Sequence, residues 1–96
     1  MIYNNLLKGF FHLLYIMESV DQKYLKKLGQ NISKIRKLKG FSQLDICALI
    51  MMEKSNLSSI ENGRQNPTTL TLKKIADAIE VDVREFFSFE IKSLAK

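Results

Sequence analysis

The stretch SQLDICALIMMEKSNLSSIE, residues 42–61, decides the fold, because it holds two short helical patterns with a tight turn between them. Ser42 can cap the first helix with its hydroxyl, and Asp45 places a negative charge in the first turn, where the helix dipole favours it. Ile46 and Ile50 lie four residues apart and form one apolar stripe of this helix. The pattern therefore predicts a short amphipathic helix that is firmly started at its N-terminus.

The second helix of this unit is predicted to begin near Glu53 and to stop at Asn62-Gly63, a pair typical of helix ends. Leu57 and Ile60 would face inward. The outward residues are small and polar with one cation: Lys54, Ser55, Asn56, Ser58 and Ser59. Such a face is suited to lie against a polar, anionic partner.

Composition limits the chain to one small domain without catalytic machinery. Its 96 residues, 46% hydrophobic, are enough for a modest core, and the net charge of +5 is compatible with an anionic partner. Seven Lys and Arg and no acidic residues occur in residues 23–39. With one cysteine, Cys47, and one histidine, His12, neither an internal disulfide nor a His/Cys metal site is expected. We therefore predict no enzyme, no metal and no cofactor, and a reducing, cytoplasmic location.

Residues 1–17, MIYNNLLKGFFHLLYIM, have the pattern of an amphipathic helix with a wide apolar face. This segment is too short and too interrupted to span a bilayer. Three interpretations stay open. It docks on the domain or on a partner protomer, it is a translated upstream extension with Met17 as the working start, or it touches a membrane surface with the help of Lys8.

The remaining chain predicts further helices around this unit. A polar joint at residues 18–24 leads into a helix over residues 24–39, which Gly40 ends. Thr68 can cap a helix over residues 69–79. No stretch alternates with the period of a strand, so we predict an all-α fold.

A short last helix is predicted after Val81. Asp82 and Glu85 form a capping pattern at its start, and the helix carries Val83, Phe86 and Phe87.

Residues 29–87 closely resemble the Cro/C1-type helix-turn-helix regulators, also called the xenobiotic-response-element family. The matching motifs are LGQNISKIRKLKGFSQ (28–43), SSIENGRQNP (58–67) and TLKKIADAIEVDVREFF (71–87). The resemblance implies a five-helix, lambda-repressor-like DNA-binding domain over residues 24–88, with residues 1–23 as an extra N-terminal amphipathic helix and residues 89–96 as a tail. Its third helix, near residues 53–62, would enter the major groove of DNA.

The resemblance also assigns roles to individual residues. Lys54, Ser55 and Ser59 match base-contacting positions, and Asn56 and Ser58 lie beside them. The positions that match DNA-phosphate contacts are Gln43, Asn62 and Arg64, and Gln43 also matches a residue that braces the third helix. Arg36 and Glu61 match a partly buried ion pair that ties the first helix to the third.

Two positions depart from the pattern of the family. Met51 stands in the turn between the two central helices and Glu80 stands after the fourth helix, where the family favours glycine. A residue with a side chain is strained in such a turn, or the turn takes another shape. Leu44 and Leu49 occupy positions that are usually polar, and with Met51 they can form an apolar patch.

The resemblance implies a sequence-specific regulator of transcription that binds double-stranded DNA as a homodimer on a pseudo-palindromic operator in the nucleoid. Phe86, Phe87 and Phe89, or the N-terminal helix, are the expected dimer contacts. The alternative is an antitoxin-type protein that binds a partner toxin through residues 1–17 or 88–96 and regulates its own promoter. A membrane partner is the least favoured of these.

Overall fold

The computed structural model describes residues 2–90, which form four α-helices and one 3-10 helix. The elements are α1 (Ile2–Leu38), α2 (Gln43–Ile50), α3 (Lys54–Glu61), α4 (Thr69–Ala78) and the 3-10 helix (Val83–Phe87). Within these residues the chain is helical or irregular, without a strand, which confirms the all-α prediction. The predicted tail lies outside the described residues from residue 91 onward.

α1 is one continuous helix of 37 residues, so the predicted polar joint at residues 18–24 is wrong. The polarity of this segment favours a joint, but its sequence, ESVDQKY, contains neither glycine nor proline. Glu, Gln and Lys are good helix formers, and polar residues alone do not end a helix. The predicted boundary after residue 23 therefore falls inside α1, and the division of the chain into an extension and a domain stays a prediction.

The predicted fifth helix is a five-residue 3-10 helix, so the structure has four α-helices among residues 2–90 and the five-helix count is not confirmed. Asp82 caps it as predicted: its side chain accepts a hydrogen bond from the backbone of Arg84, and the backbone N–H of Asp82 donates to the Glu85 carboxylate. Hydrogen bonds from the Arg84 side chain lower the pKa of Asp82 to about 2. A segment this short has room for little more than one turn, which the tighter i to i+3 bonding accommodates.

The core is built from one apolar face of each helix. α1 packs against α3 and the 3-10 helix, α2 packs against α3 and α4, and α4 packs against the 3-10 helix. The fully buried large side chains are Ile32, Ile46, Leu57, Ile60, Ile75, Ile79 and Phe86. The core therefore lies behind α3 and supports it from the side opposite its polar face.

Two contacts of α1 set the positions of the elements around it. Gly29 lies so close to α3 that a Cβ atom there would overlap the backbone carbonyl oxygens of Ile60 and Glu61. Asn31 donates from Nδ2 to the carbonyl oxygens of Glu85 and Phe86, at 2.9 and 2.8 Å. α1 is thus the common support of α3 on one side and of the 3-10 helix on the other.

The N-terminal half of α1 extends away from this core. All side chains of residues 5–24 are exposed, except Ile16 and Ser19, which are half-buried. The segment therefore does not dock on its own domain. Docking on a partner protomer, the other part of the first interpretation, stays open. Within residues 2–90, no helical segment has the combination of length and hydropathy that a bilayer span requires.

Candidate nucleic-acid interface

The start of α2 is held by a reciprocal pair of hydrogen bonds. Ser42 Oγ accepts from the backbone N–H of Asp45 at 3.0 Å, and Asp45 Oδ2 accepts from the backbone N–H of Ser42 at 2.8 Å. This is the cap predicted from the sequence, extended to a capping box. The hydrogen bonds from Ser42, chiefly the one from its backbone, hold the pKa of Asp45 below its usual value. The first turn of α2 is therefore well defined beside α3.

The turn between α2 and α3 has the left-handed conformation that glycine favours, although its residue is methionine. Met51 adopts the left-handed conformation, with φ 54° and ψ 50°, and Glu80 after α4 does the same with φ 58°. The left-handed region costs a residue with a side chain roughly 1–2 kcal/mol. Met51 is 95% exposed, so packing of its side chain does not offset the strain. The backbone N–H groups of Met51 and Met52 donate to the Cys47 carbonyl and close the turn.

The polar face of α3 points away from the core, as predicted. Leu57 and Ile60 are buried on the inner side. At 100° per residue, Ser55 lies nearly opposite them, and Ser58 and Ser59 lie on either side of it. Lys54 and Asn56 occupy the two edges of the outer face. Lys54, Ser55 and Asn56 are exposed, whereas Ser58 and Ser59 are half-buried. α3 thus presents an uncharged centre with one cation at its edge.

A buried network joins α3 to α1 and α2 from behind. Arg36 Nε donates to Glu61 Oε2 at 2.7 Å and its Nη2 donates to Glu61 Oε1 at 2.9 Å, so the expected ion pair is present and bidentate. Gln43 Nε2 donates to the same Oε1 at 2.9 Å. Arg36 Nη1 also donates to the Phe41 carbonyl at 2.7 Å. Glu61 therefore accepts from two helices and fixes the orientation of α3.

The three residues expected to contact phosphate lie on both sides of α3. Gln43 opens α2 and braces Glu61, as described. Asn62 follows α3 at the helix end predicted from the sequence, and it donates from Nδ2 to the Ser58 carbonyl at 2.8 Å. Arg64 is exposed, and its backbone N–H donates to the Ser59 carbonyl at 2.9 Å. Gly63 has φ 73° and lies against the backbone of Lys26, so the loop that carries Arg64 is seated on α1.

A basic groove adjoins the C-terminal end of α3. It has a volume of about 560 Å³, and its lining includes Lys34 and Lys37 of α1 together with Asn62. Both lysines belong to the basic run of residues 23–39, but periodicity alone could not show which of its cations lie beside α3. They therefore join Arg64 as cations placed near the C-terminal end of α3.

The three aromatic residues expected at a dimer interface differ in their surroundings. Phe86 is completely buried in the core of its own domain, so it cannot contact a second copy and this expectation is wrong. Phe89 is half-buried and packs edge-on against Tyr24, with ring centroids 5.5 Å apart. Phe87 is 40% exposed and stays available. A short aromatic cluster does not reveal by its pattern which member fills the core.

The arrangement fits recognition of a groove. An exposed polar helix about 10–12 Å wide matches the roughly 12 Å width of the B-DNA major groove. The first turn of α2 offers backbone N–H groups with a positive dipole end. Arg64, Lys34 and Lys37 add positive charge near the C-terminal end of α3. The hydroxyls of the exposed Ser55 and of the half-buried Ser58 and Ser59 can donate to or accept from base edges.

Comparison with known proteins agrees with this geometry. The helix-turn-helix family model matches residues 32–86. The chain is 39% identical over 56 residues to y4dJ, an uncharacterized HTH-type transcriptional regulator of Sinorhizobium fredii, covering 58% of this chain and 73% of that protein.

Two solved structures extend the likeness to the fold. The restriction-modification controller protein C.AhdI from Aeromonas hydrophila matches with a TM-score of 0.63 at 32% identity, over 66% of this chain and 96% of that one. The controller C.Esp1396I, solved as a tetramer with its natural 35 base-pair operator, matches with a TM-score of 0.60 at 33% identity, over 67% of this chain and 84% of that one. These relatives are regulators and controllers, which does not favour the antitoxin alternative.

Proposed function

This chain belongs to the Cro/C1-type helix-turn-helix family, and on that premise we propose that it regulates transcription by binding a pseudo-palindromic operator in double-stranded DNA as a homodimer. α3 lies in the major groove of each half-site. The observation that carries the proposal is the outward polar face of α3, held in place by the buried Arg36–Glu61 pair. Repression or activation then follows from occupancy of promoter DNA in the cytoplasm.

The centre of the outer face of α3 reads bases in this proposal. Ser55 and Ser59 reach the floor of the groove, and Asn56 and Ser58 contact its sides. Lys54 donates to a guanine edge or to a phosphate. A serine hydroxyl is both donor and acceptor and discriminates poorly between bases, so DNA shape and bridging water contribute to specificity.

Cations and backbone amides around α3 grip the DNA backbone. Gln43 contacts phosphate at the start of α2, where the dipole favours an anion, and Asn62 and Arg64 contact it beyond the end of α3. Lys34 and Lys37 line the groove beside Asn62 and are suited to the same strand. These contacts supply most of the affinity and its dependence on salt.

A homodimer places two copies of α3 in successive major grooves, about 34 Å apart, on a site with twofold symmetry. The exposed Phe87 and the half-buried Phe89 are the remaining aromatic candidates for contacts between the two domains. The related controller that was solved as a tetramer on its operator supports the proposal that oligomers of this chain act on DNA.

The salt dependence of DNA binding tests this proposal at a single residue. Replacing Lys54 with alanine should weaken binding to duplex DNA and lower the slope of log affinity against log salt by about one unit. Fluorescence anisotropy of a labelled duplex at several salt concentrations measures both quantities.

Lys8→Ala is the matched control, because it removes the same charge from the same chain. Lys8 lies 18 residues before Lys26, where the Arg64 loop is seated, which is roughly 27 Å along the helix. That distance exceeds the screening length of about 8 Å at physiological salt. Equal slopes for Lys54→Ala and the unmodified chain would remove Lys54 from the interface.

A further inference from the structure

The N-terminal half of α1 carries an apolar face on a part of the helix that extends beyond the domain core. We define this N-terminal apolar face by six residues: Leu6, Leu7, Phe10, Leu13, Leu14 and Met17. Their side chains are 39–65% exposed. At 100° per residue they occupy one side of the helix, whereas Lys8 and His12 lie on the other side.

The spacing of this face is that of a helix pair. Leu7 and Leu14 are seven residues apart, and Phe10 and Met17 form a second row with the same interval, so the two rows alternate by three and four. This is the pattern of the core positions of a coiled coil, in which each row packs against the facing helix. Leu6 and Leu13 widen the seam on one side. The pattern is suited to another helix of similar length.

The exposed area is sufficient for a stable contact between two copies. A fully exposed large apolar side chain offers roughly 200 Å². At the exposures found, the six residues offer roughly 600 Å² per copy, and a pair would bury roughly 1,200 Å² in total. The total of roughly 1,200 Å² lies at the lower end of specific, stable interfaces, and the roughly 600 Å² per copy equals the upper end of the largest apolar patch, about 300–600 Å², that a typical monomer exposes.

We propose that the N-terminal apolar face is a self-association surface, on which α1 of a second copy of this chain packs in the antiparallel direction. In the register that fills the seam, Leu7 of one copy faces Met17 of the other, and Phe10 faces Leu14. The inference goes beyond the proposed function. It assigns a second interface, remote from α3 and separate from the contacts of Phe87 and Phe89.

Asp21 sets the direction of the pair. It occupies the next position in the row of Leu7 and Leu14. A parallel pair would place the two Asp21 carboxylates against each other at the seam, where like charges repel strongly. In the antiparallel register each Asp21 lies beyond the last apolar contact and does not meet its counterpart.

A membrane surface fits this face less well than a second copy. Helices that lie on anionic membranes carry a strongly basic polar face. Between residues 5 and 20 the polar side of α1 has a single lysine, Lys8, and the segment also carries Glu18. The charge of this segment therefore gives little attraction to anionic lipid, whereas the heptad spacing suits a partner helix.

Sedimentation equilibrium of the full chain tests the proposal. The unmodified chain should have a mass above the 11.1 kDa of one copy, and Leu7→Lys with Leu14→Lys should weaken association at least about tenfold. His12→Lys with Tyr15→Lys adds the same charge on exposed positions outside the seam and should leave association unchanged. Equal association for the two double variants, or a monomeric unmodified chain at 100 µM, would overturn the proposal.

Disulfide trapping tests the direction independently of that result. A chain with Leu7→Cys mixed with a chain with Met17→Cys should give a mixed disulfide, and each alone should give little. Efficient cross-linking of Leu7→Cys to itself would indicate a parallel pair and contradict the register. The native Cys47 is buried and does not compete.

Vesicle binding and half-site binding distinguish self-association through this face from membrane binding and from the proposed DNA binding. The chain should stay in solution when vesicles of phosphatidylcholine and phosphatidylserine are sedimented, and co-sedimentation of a monomeric chain would assign the face to membrane instead. Anisotropy with a short duplex that holds one half-site should be the same for the seam variant and its control. Loss of DNA binding with intact self-association would refute the proposed function alone.

Discussion

Removing the carboxylate of Glu61 should be among the most damaging single changes to this fold. Glu61→Ala deletes the acceptor of three hydrogen bonds, two from Arg36 and one from Gln43. Arg36 is only 5% exposed, and it would keep only its bonds to the Phe41 carbonyl and, at 3.5 Å, to Ser33. Its guanidinium would then be a buried charge without a counter-ion.

The destabilisation caused by Glu61→Ala can be obtained in two ways that agree. Three net hydrogen bonds at about 1 kcal/mol each give roughly 3 kcal/mol, and removal of one partner of a buried ion pair typically costs about 3–5 kcal/mol. We expect Glu61→Ala to lower the free energy of unfolding by at least about 3 kcal/mol. For a chain of this size, the melting temperature should fall by roughly 12–24 °C.

Urea unfolding followed by circular dichroism measures this loss. Asp77→Ala is the matched control, because the Lys73–Asp77 pair is equally short at 2.7 Å but both side chains are 63% exposed. Its loss should cost less than about 1 kcal/mol. Arg36→Met combined with Glu61→Leu should recover most of the stability, because no charge is then stranded. A cost for Glu61→Ala as small as that of the control would refute the reasoning.

Three further changes probe the turn, the helix crossing and the recognition face. Gly29→Ala should destabilise the domain by about 1–3 kcal/mol in urea unfolding, because α1 and α3 must separate, whereas Gly9→Ala, with open space around it, should stabilise its helix by up to about 1 kcal/mol. Equal effects would contradict the close crossing. Met51→Gly should raise the free energy of unfolding by about 0.5–1 kcal/mol. This is the relief of left-handed strain minus the cost of the greater entropy of glycine in the unfolded chain. A lower free energy of unfolding would show that the turn is unstrained. Ser59→Ala should change the selected DNA sequence more than the affinity, and an identical consensus would exclude Ser59 as a base reader.

Much of the helical framework follows from local chemistry. The cap at Ser42, the cap at Thr68 and the pair Asp82 and Glu85 all form the hydrogen bonds that their spacing predicts. The apolar period placed Leu57 and Ile60 inward correctly. These features could be predicted because each depends on residues within one or two turns of each other.

The wrong predictions concern features that the local sequence pattern does not determine. Residues 18–24 are predicted to interrupt α1 because they are polar, yet they contain no glycine or proline, and polar residues such as Glu, Gln and Lys are good helix formers. Phe86 and Phe87 are adjacent and chemically identical, and only the tertiary packing decides that Phe86 fills the core. The tether from Asn31 to the backbone of Glu85 spans 54 residues and has no periodic signature.

The candidate interface could be predicted from the sequence only in part. The ion pair of Arg36 and Glu61 joins residues 25 apart in the chain, and only the family resemblance suggested it. Even the resemblance did not indicate that Gln43 shares the same carboxylate oxygen, or that Lys34 and Lys37 border α3. Those positions depend on how α1 crosses α3 at Gly29, which no single stretch of the sequence describes.

Selection of bound sites from random duplex DNA by the full chain is the most direct test of the central claim. We expect an enriched inverted repeat whose half-site centres lie about one helical turn, 10–10.5 base pairs, or a multiple of it, apart. The chain carrying Ser55→Asp and Ser59→Asp, which places two negative charges on the outer face of α3, should enrich nothing. A lack of enrichment with the unmodified chain, or the same consensus from both proteins, would contradict the assignment of α3 as the recognition helix.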